Sequence, residues 1–326
     1  MPEITLIQAV TQALAYEMSA DKNVVVFGED VGVNGGVFRA TAGLFDQFGP
    51  ERVLDTPLAE SMIAGMAVGM AAQGLKPVAE FQFMGFIYSG LDQILCHAAR
   101  LRNRTRGRLT CPIVFRAPFG GGIRAPEHHS ESTEAIFAHI PGLRVVIPSS
   151  PARAYGLLLA AIRNPDPVLF LEPKRIYRLV KQEVPDDGKA LPLDKCFVLR
   201  EGSDITLVTW GASTHETLLA ADALAAEGIE AEVIDVATIK PLDMETILNS
   251  VAKTGRCVII HEAAKSGGIG AEIAAQIAEH GLMYLLAPIQ RVTGYDAAMP
   301  YFKMEKLYLP SVERIIKAVS NIMEYA

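Results

Sequence analysis

Short apolar segments rich in β-branched residues alternate with longer segments of helical periodicity along most of this sequence. The alternation predicts a parallel sheet with helices on both faces, because strands that are apolar throughout need cover on both sides. The predicted fold class is therefore α/β. In the first half of the chain, the predicted strands cover residues 24–27, 77–83, 112–116, 144–148 and 167–172. The predicted helices between them cover residues 4–19, 61–74, 88–102, 131–138 and 151–162.

A polar segment interrupts this pattern near the middle of the chain. Residues 181–193, KQEVPDDGKALPL, contain two prolines and one glycine and have no period, which predicts a linker. Beyond it, predicted strands at 204–210, 230–235 and 256–262 alternate with predicted helices at 214–227, 244–252 and 271–280. A length of 326 residues also favours about two domains. We expect one α/β domain over residues 1–180, a linker over 181–200 and a second α/β domain over 201–326.

Charge and composition exclude several classes of protein. A net charge of −7 argues against nucleic-acid binding. The longest apolar run, residues 63–72, is too short to cross a membrane, and the N-terminal MPEITLIQAV does not resemble a secretory or mitochondrial leader. The four cysteines are widely spaced without a CxxC pair, which predicts reduced and mostly buried thiols. We expect a cytoplasmic protein with neither a nucleic-acid nor a membrane partner.

The segment Gly267-Gly268-Ile269-Gly270 follows a predicted strand and begins a predicted helix, as a dinucleotide-binding fingerprint would. The fingerprint also requires glycine or alanine at position 273, where this chain has Ile273. We therefore interpret the glycines as allowing close backbone packing at the start of the helix. A nicotinamide-dependent dehydrogenase stays open as an alternative.

Several candidate functional residues follow predicted strands. Glu60 lies where a strand ends and a helix of small residues begins, and Gln82 and Phe86 follow the next strand. Ligands of open α/β sheets gather at such strand ends. His128 and His129 follow the glycines at 120–122, so either imidazole could act as an acid or base on a loop. The glycines could bind an anion through their amides or form a tight turn.

Taken together, these segments resemble the beta subunits of heterotetrameric 2-oxo acid dehydrogenases. The resemblance covers nearly the whole chain in consistent order. The matching segments are GEDVG (28–32), GGVFR (35–39), DTPLAES (55–61), QF (82–83), HS (129–130), PGL (141–143), LEPK (171–174), VIIHE (258–262) and API (287–289).

The resemblance implies a transketolase-type pyrimidine-binding domain followed by a transketolase C-terminal domain. It also implies that thiamine diphosphate is the cofactor. Glu60 would contact the ring nitrogen of the aminopyrimidine, and Phe86 would pack against that ring with Leu58 and Gln82 nearby. His129 would assist proton transfer while the acyl group moves to a lipoyl arm.

The resemblance further implies a structural monovalent cation such as potassium, held largely by backbone carbonyls. The matching positions are Ile113, Ala161, Ile162, Asn164 and Asp166. The family usually has aspartate and asparagine at the last two positions in the opposite order.

A partner chain is implied by a missing motif. Thiamine enzymes hold magnesium and the diphosphate with a Gly-Asp-Gly segment and a later asparagine. The nearest segment, Asp186-Asp187-Gly188, lacks the first glycine. An alpha subunit, in an assembly of two alpha and two beta chains, would then supply the magnesium site and the other half of the cofactor site.

Phe86 and the segments GVNGGVFRAT and PFGGGI resemble pyruvate-type bacterial members, whereas branched-chain members commonly have tyrosine at the position of Phe86. The expected reaction is the oxidative decarboxylation of pyruvate with reductive acetylation of a lipoyl group. The lipoyl group would be carried by a dihydrolipoyl acyltransferase. A branched-chain 2-oxo acid or acetoin dehydrogenase is the alternative within the family. A non-catalytic scaffold subunit is the alternative from another class.

Overall fold

A computed structural model describes residues 3–325, and the chain divides into two compact units. The first unit comprises the described residues up to Phe119 together with Ile136–Leu193. The second comprises Gly120–Ala135 together with the described residues from Asp194 onward. The loop over residues 120–135 thus belongs to the second unit, although it lies within the segment 1–180 that the sequence predicted as the first domain. Its hydrogen bonds to Glu262 and Glu305 explain this placement.

The strands and helices are numbered in chain order. The strands are β1 (Glu3–Thr5), β2 (Val24–Gly28), β3 (Val53–Asp55), β4 (Lys76–Glu80), β5 (Val114–Phe119), β6 (Arg144–Val146), β7 (Val168–Pro173), β8 (Lys181–Glu183), β9 (Phe197–Arg200), β10 (Ile205–Thr209), β11 (Ala231–Asp235), β12 (Thr238–Lys240), β13 (Cys257–Ile260) and β14 (Gln290–Val292). The α-helices are α1 (Leu6–Ala20), α2 (Leu44–Phe48), α3 (Glu60–Ala72), α4 (Leu101–Arg104), α5 (Glu134–Ala138), α6 (Pro151–Arg163), α7 (Ser213–Ala226), α8 (Met244–Thr254), α9 (Ile269–Gly281), α10 (Glu305–Tyr308) and α11 (Val312–Met323).

A parallel sheet forms the centre of the first unit, with strand order β6-β7-β5-β4-β2-β3. Strands β2, β5 and β7 are buried along their whole length, as expected of strands covered on both faces. Helix α6 begins with Pro151, and the Ser150 hydroxyl accepts a hydrogen bond from the Arg153 amide. The proline and the serine cap together define the start of the helix predicted over residues 151–162.

The second unit has its own sheet, with order β14-β13-β10-β11-β9. Neighbouring strands are parallel except for β9, which pairs antiparallel with β11. The core of the second unit consists of apolar side chains from β10, β11, β13, α7 and α11. Ile315 and Ile322 of α11 are among them. The sequence therefore predicted the class of both sheets correctly.

Two segments differ from the prediction. The segment predicted as one helix over residues 88–102 is helical throughout but irregular: a 3₁₀-helix over Met84–Gly90 is followed by a π-helix over Gln93–His97, a 3₁₀-helix over Ala98–Arg100 and then α4. Gly90 packs so closely on α3 that a Cβ atom there would lie 3.0 Å from the Glu60 carbonyl oxygen. The predicted linker contains β8 and β9, because each of these short strands hydrogen-bonds to a strand distant in sequence, β1 and β11 respectively.

The four cysteines are free thiols, as predicted, with Cys111 and Cys257 buried and the other two partly buried. Burial raises the pKa of both Cys111 and Cys257 to about 12, which keeps these thiols protonated. Within residues 3–325, no helix combines the length and the hydrophobicity that a membrane-spanning segment needs.

Candidate functional site

The carboxyl ends of β2, β3 and β4 lie side by side at one edge of the first sheet. Gly28, the last residue of β2, pairs with Asp55 of β3 and with Glu80 of β4. A Cβ atom on Gly28 would lie only 2.5 Å from the Glu80 carbonyl oxygen, so glycine permits this close pairing. The loops that carry Glu60 and Gln82 leave the sheet at adjacent strand ends.

Glu29, directly after β2, is a buried carboxyl group that sequence reasoning missed. Its side chain is 6% exposed, and its Oε1 atom has no hydrogen-bond partner among residues 3–325. Desolvation raises the pKa of Glu29, and the negative charges of Glu60 and Asp30 raise it further. This edge of the sheet therefore favours a proton on Glu29 while Glu60, which is only half-buried, lies nearby.

Gln82 is joined to the same loop. Its Nε2 atom donates a hydrogen bond to Oδ2 of Asp30 over 3.2 Å. Asp30 has a backbone φ of 57°, in the left-handed region that few residues other than glycine adopt. The carboxylate of Asp30 thus connects the loop after β2 to the loop after β4.

Glu60 is the first residue of α3, and Phe86 lies in the segment packed beside that helix. The Ser89 hydroxyl lies 3.2 Å from Oε2 of Glu60 and 3.3 Å from the Phe86 carbonyl oxygen. The Phe86 ring contacts the Phe83 ring edge-on at 5.5 Å between centroids, and Phe83 contacts Phe38 in the same way at 5.4 Å. These contacts give Phe86 a fixed aromatic support.

The structure thus gathers Glu60, Gln82 and Phe86 at one edge of the first sheet. Leu58, two residues before Glu60, has a side chain that is 78% exposed. His129 belongs to the second unit. Glu29 could have been found by the rule that selected Gln82, because Glu29 and Asp30 lie near the carboxyl end of the strand predicted over residues 24–27. Ser89 lies inside a predicted helix and carried no such signal.

A buried ion network lies beneath this edge of the sheet. Arg116 of β5 is 1% exposed, and it pairs with Glu80 at 2.8 Å and with Glu172 at 2.6 Å. The Tyr177 hydroxyl donates a hydrogen bond to Glu172 over 2.7 Å. Desolvation raises the pKa of Glu80, whereas the charge of Arg116 opposes the rise. The network ties β4, β5 and β7 together near the ends that carry the site.

In the second unit, the loop that carries His128 and His129 is anchored on Glu262. Oε1 of Glu262 accepts hydrogen bonds from the Gly121 amide at 2.5 Å and from the Ser132 hydroxyl at 2.9 Å. The glycine segment therefore turns tightly around a carboxylate of the chain itself. His128 is exposed and His129 is half-buried in the turn Glu127–His129.

A second polar cluster, formed by Glu134, Trp210 and His261, lies in the interior of the second unit. Nε1 of Trp210 donates to Oε1 of Glu134 at 3.3 Å, and the indole stacks on the His261 ring at 4.9 Å between centroids. Burial raises the pKa of Glu134 to about 8 and lowers the pKa of His261 to about 3. Burial therefore favours the neutral form of both side chains.

The glycines of Gly267-Gly268-Ile269-Gly270 pack against this cluster. A Cβ atom on Gly270 would lie 2.6 Å from Nε2 of His261, and one on Gly268 would lie 2.7 Å from the Ala264 carbonyl oxygen. Close backbone packing at the start of α9, the interpretation favoured by the sequence, is therefore confirmed.

The positions matched to a cation site lie at the carboxyl end of α6 and the adjoining ends of β5 and β7. The Ile113 carbonyl accepts a bond from the Val168 amide, and the Ala161 carbonyl accepts one from the Asn164 amide. Asp166 pairs with Arg102 at 2.5 Å, so its carboxylate is already neutralised. A cation here would depend on the remaining lone pairs of the carbonyl oxygens, including that of Ile162.

The groups at the edge of the first sheet suit a flat heteroaromatic ligand that carries N–H donors and a basic ring nitrogen. Phe86 supplies an aromatic ring for packing, and the Glu60 carboxylate can stabilise a protonated ring nitrogen. Oε1 of Glu29 is a buried acceptor that still requires a donor.

Two family models match the chain. Residues 2–180 match the model "Transketolase, pyrimidine binding domain", and residues 194–315 match "Transketolase, C-terminal domain". A solved structure described as "Split gene transketolase, inactive beta4 tetramer" superposes with a TM-score of 0.82 at 24% identity, covering 99% of each chain. These matches confirm the two predicted domain types and their order.

Curated relatives match over almost the full length. The chain is 53% identical over 322 residues to "Pyruvate dehydrogenase E1 component subunit beta" of Acholeplasma laidlawii, with 99% of this chain and 98% of the relative covered. It is 48% identical over 325 residues to the protein of the same name in Bacillus subtilis, with both chains fully covered. It is also 49% identical over 327 residues to "2-oxoisovalerate dehydrogenase subunit beta" of Bacillus subtilis, with both chains fully covered.

Proposed function

We propose that this chain, which belongs to the transketolase-like family of the pyruvate dehydrogenase E1 beta subunits, forms the pyrimidine-binding half of a thiamine diphosphate site. An alpha subunit supplies the other half, in an assembly of two alpha and two beta chains. The observation that carries the proposal is the pair of carboxyl groups, Glu29 and Glu60, beside Phe86 at one edge of the first sheet. This donor set fits an aminopyrimidine ring, which offers N–H donors and a basic nitrogen.

Each residue of this edge has a role in holding the ring. The Glu60 carboxylate would accept a hydrogen bond from the protonated ring nitrogen and so stabilise the protonated pyrimidine. Oε1 of Glu29 is a buried acceptor for a donor group near Glu60. The pyrimidine ring packs on Phe86, and Leu58 covers the same ring. Gln82 fixes the loop after β2 through its hydrogen bond to Asp30. When bound, thiamine diphosphate supplies the electron sink on which a 2-oxo acid loses carbon dioxide.

The chain does not carry an evident diphosphate anchor of its own, which supports a shared site. Asp186-Asp187-Gly188 serves the internal structure of the first unit: the Tyr155 hydroxyl donates to Asp186 at 3.0 Å and accepts from the Gly188 amide at 2.9 Å. A Cβ atom on Gly188 would overlap the Tyr16 ring. The alpha subunit would then hold the magnesium ion and the diphosphate.

His129 assists the step after decarboxylation, in which the acyl group is transferred to a lipoyl group. It lies in a turn anchored through Gly121 and Ser132 on Glu262. A half-buried imidazole on such a loop can deliver or remove a proton as the acyl group passes to a lipoyl sulfur. The lipoyl group is carried by a dihydrolipoyl acyltransferase. The carbonyls of Ile113, Ala161 and Ile162 would hold a monovalent cation such as potassium.

Pyruvate is the proposed substrate, and the phenylalanine at position 86 favours it over branched-chain 2-oxo acids. The test is decarboxylation by the reconstituted assembly of alpha and beta chains with pyruvate, 2-oxoisovalerate and acetoin. The highest kcat/KM should be found with pyruvate. A preference for 2-oxoisovalerate or for acetoin would contradict the proposal. A preference for 2-oxoisovalerate would instead agree with the substrate named for the 2-oxoisovalerate dehydrogenase relative.

A further inference from the structure

A groove with a basic lining crosses the first unit and takes no part in the proposed reaction. It lies between the start of α1, the loop that precedes α2 and the start of β8, and it encloses about 790 Å³. This volume lies within the range of small-molecule pockets in proteins, roughly 300–1,000 Å³. The groove is therefore large enough for a metabolite of nucleotide size.

The charges that line the groove all have one sign. Arg39, Arg178 and Lys181 line it, and none of the described residues lining it is aspartate or glutamate. The remaining polar lining consists of threonine and glutamine side chains, such as Gln8 and Gln12. The whole chain has a net charge of −7, so a groove lined by three cations is locally positive on a negatively charged protein.

The structure holds these three cations in place. Nη2 of Arg178 donates to the Phe38 carbonyl at 2.9 Å, and Nη1 of Arg39 donates to the Asn34 carbonyl. Each guanidinium group has five N–H donors, so each retains donors for a ligand. Lys181 is placed by its pairing in β8 opposite Thr5. Phe38 is itself fixed, because its ring packs against Tyr177 at 5.4 Å.

The start of α1 adds to the positive potential. Thr5 caps this 15-residue helix, and its first turn contains no acidic residue. The amino end of a helix carries partial positive charge that is often balanced by a carboxylate in the first turn. Here the helix dipole and the three cations act in the same direction.

We propose that this groove binds a small metabolite carrying a phosphate or polyphosphate group. Arginine recognises phosphate oxygens through paired N–H donors, and lysine adds a point charge. Arg39 and Arg178 donate hydrogen bonds to the phosphate oxygens, and Lys181 neutralises the remaining negative charge of the ligand. The glutamine and threonine side chains of the groove bind the polar remainder of the ligand.

The test is isothermal titration calorimetry of the purified full-length chain with ADP, at low salt and without magnesium. ADP binding should be weakened at least about tenfold by Arg178→Ala or Lys181→Ala, because each variant removes a charged hydrogen-bonding partner. Arg100→Ala and Lys22→Ala, at exposed positions outside the groove, are the matched controls and should leave binding unchanged. Circular dichroism of each variant checks that it is folded.

Inorganic phosphate should compete with ADP, and binding should weaken as salt is raised. Three results would overturn the proposal: no ADP binding at millimolar concentration, an equal loss in the control variants, or a failure of phosphate to compete. The last result would mean that the groove recognises the base of the nucleotide and not its phosphates.

Discussion

The Ser89 hydroxyl lies 3.2 Å from Oε2 of Glu60, and this contact joins the first residue of α3 to the segment that follows β4. The same hydroxyl lies 3.3 Å from the carbonyl oxygen of Phe86. The carboxylate and the aromatic residue expected at a pyrimidine ring therefore share one supporting side chain. Their relative placement is a property of the first unit alone.

Glu60→Gln should abolish most of the activity of the assembled alpha and beta chains. Glutamine keeps the size of the side chain but has no negative charge to stabilise the protonated ring nitrogen, so kcat should fall by about 10²–10⁴-fold. The measurement is pyruvate decarboxylation, with size-exclusion chromatography to show that the chains still assemble. Glu51→Gln, at an exposed position, is the control. Near-normal turnover of Glu60→Gln would favour the scaffold alternative.

His129→Asn should separate the two halves of the reaction. Decarboxylation measured with an artificial electron acceptor should change little, whereas transfer of the acetyl group to a lipoyl domain should slow by about 10²-fold or more. His128→Asn is a matched control, because His128 is the exposed neighbour in the same turn. Equal effects of the two substitutions on acetyl transfer would contradict the role proposed for His129.

Glu134 should make the stability of the protein depend on pH. Burial raises the pKa of Glu134 from its ordinary value of 4.5 to about 8. The folded state then binds more protons than the unfolded state in this range, so stability falls as pH rises through it, by up to about 1.4 kcal/mol per pH unit. His261, whose pKa is lowered to about 3, contributes the opposite slope below its ordinary value of 6.5.

The effect of Glu134 is therefore measured best between pH 6.5 and 8, by urea denaturation at several pH values. The slope seen in the unmodified chain should flatten in Glu134→Gln. Glu127→Gln, at an exposed position, should leave it unchanged. The same slope in Glu134→Gln as in the unmodified chain would show that Glu134 is not the group responsible.

Arg116→Met should lower the free energy of unfolding by about 3–5 kcal/mol, because it leaves two buried carboxyl groups without their cation. Those carboxyl groups belong to Glu80 and Glu172. Adding Glu80→Gln and Glu172→Gln to the same chain should restore part of the loss. Arg100→Met, on the surface, is the control for urea denaturation. A loss below about 1 kcal/mol for Arg116→Met would contradict a tightly coupled network.

The fold class was predictable because the central strands of the two sheets, such as β2, β5, β7 and β10, are apolar runs that alternate with segments of helical periodicity. Strand β8, Lys181–Glu183, could not be predicted from the sequence. Its three residues are exposed and pair with β1 through backbone hydrogen bonds, which leave no pattern of apolar side chains. Within the predicted 88–102 helix, Gly90 lies close to the Glu60 carbonyl, a tertiary contact that periodicity does not reveal.

The candidate site was predictable where a residue lies at the carboxyl end of a strand or at the start of the helix that follows it. Glu60 and Gln82 were selected on that ground, and the structure places them at adjacent strand ends. Glu29 obeys the same rule, yet its importance depends on burial and on the nearby charge of Glu60, which sequence does not give. The Glu134–Trp210–His261 cluster joins residues that are distant in sequence and was missed for that reason.

Calorimetric titration with thiamine diphosphate and magnesium tests the central claim most directly, first with this chain alone and then with the chain co-expressed with its candidate alpha partner. We expect binding at the pyrimidine site only in the co-expressed assembly, because this chain holds the pyrimidine and the partner holds the diphosphate. Tight binding by the lone chain that persists in Arg178→Ala, which removes a cation of the basic groove, would contradict a shared site. Binding in neither sample would contradict the proposed cofactor site itself.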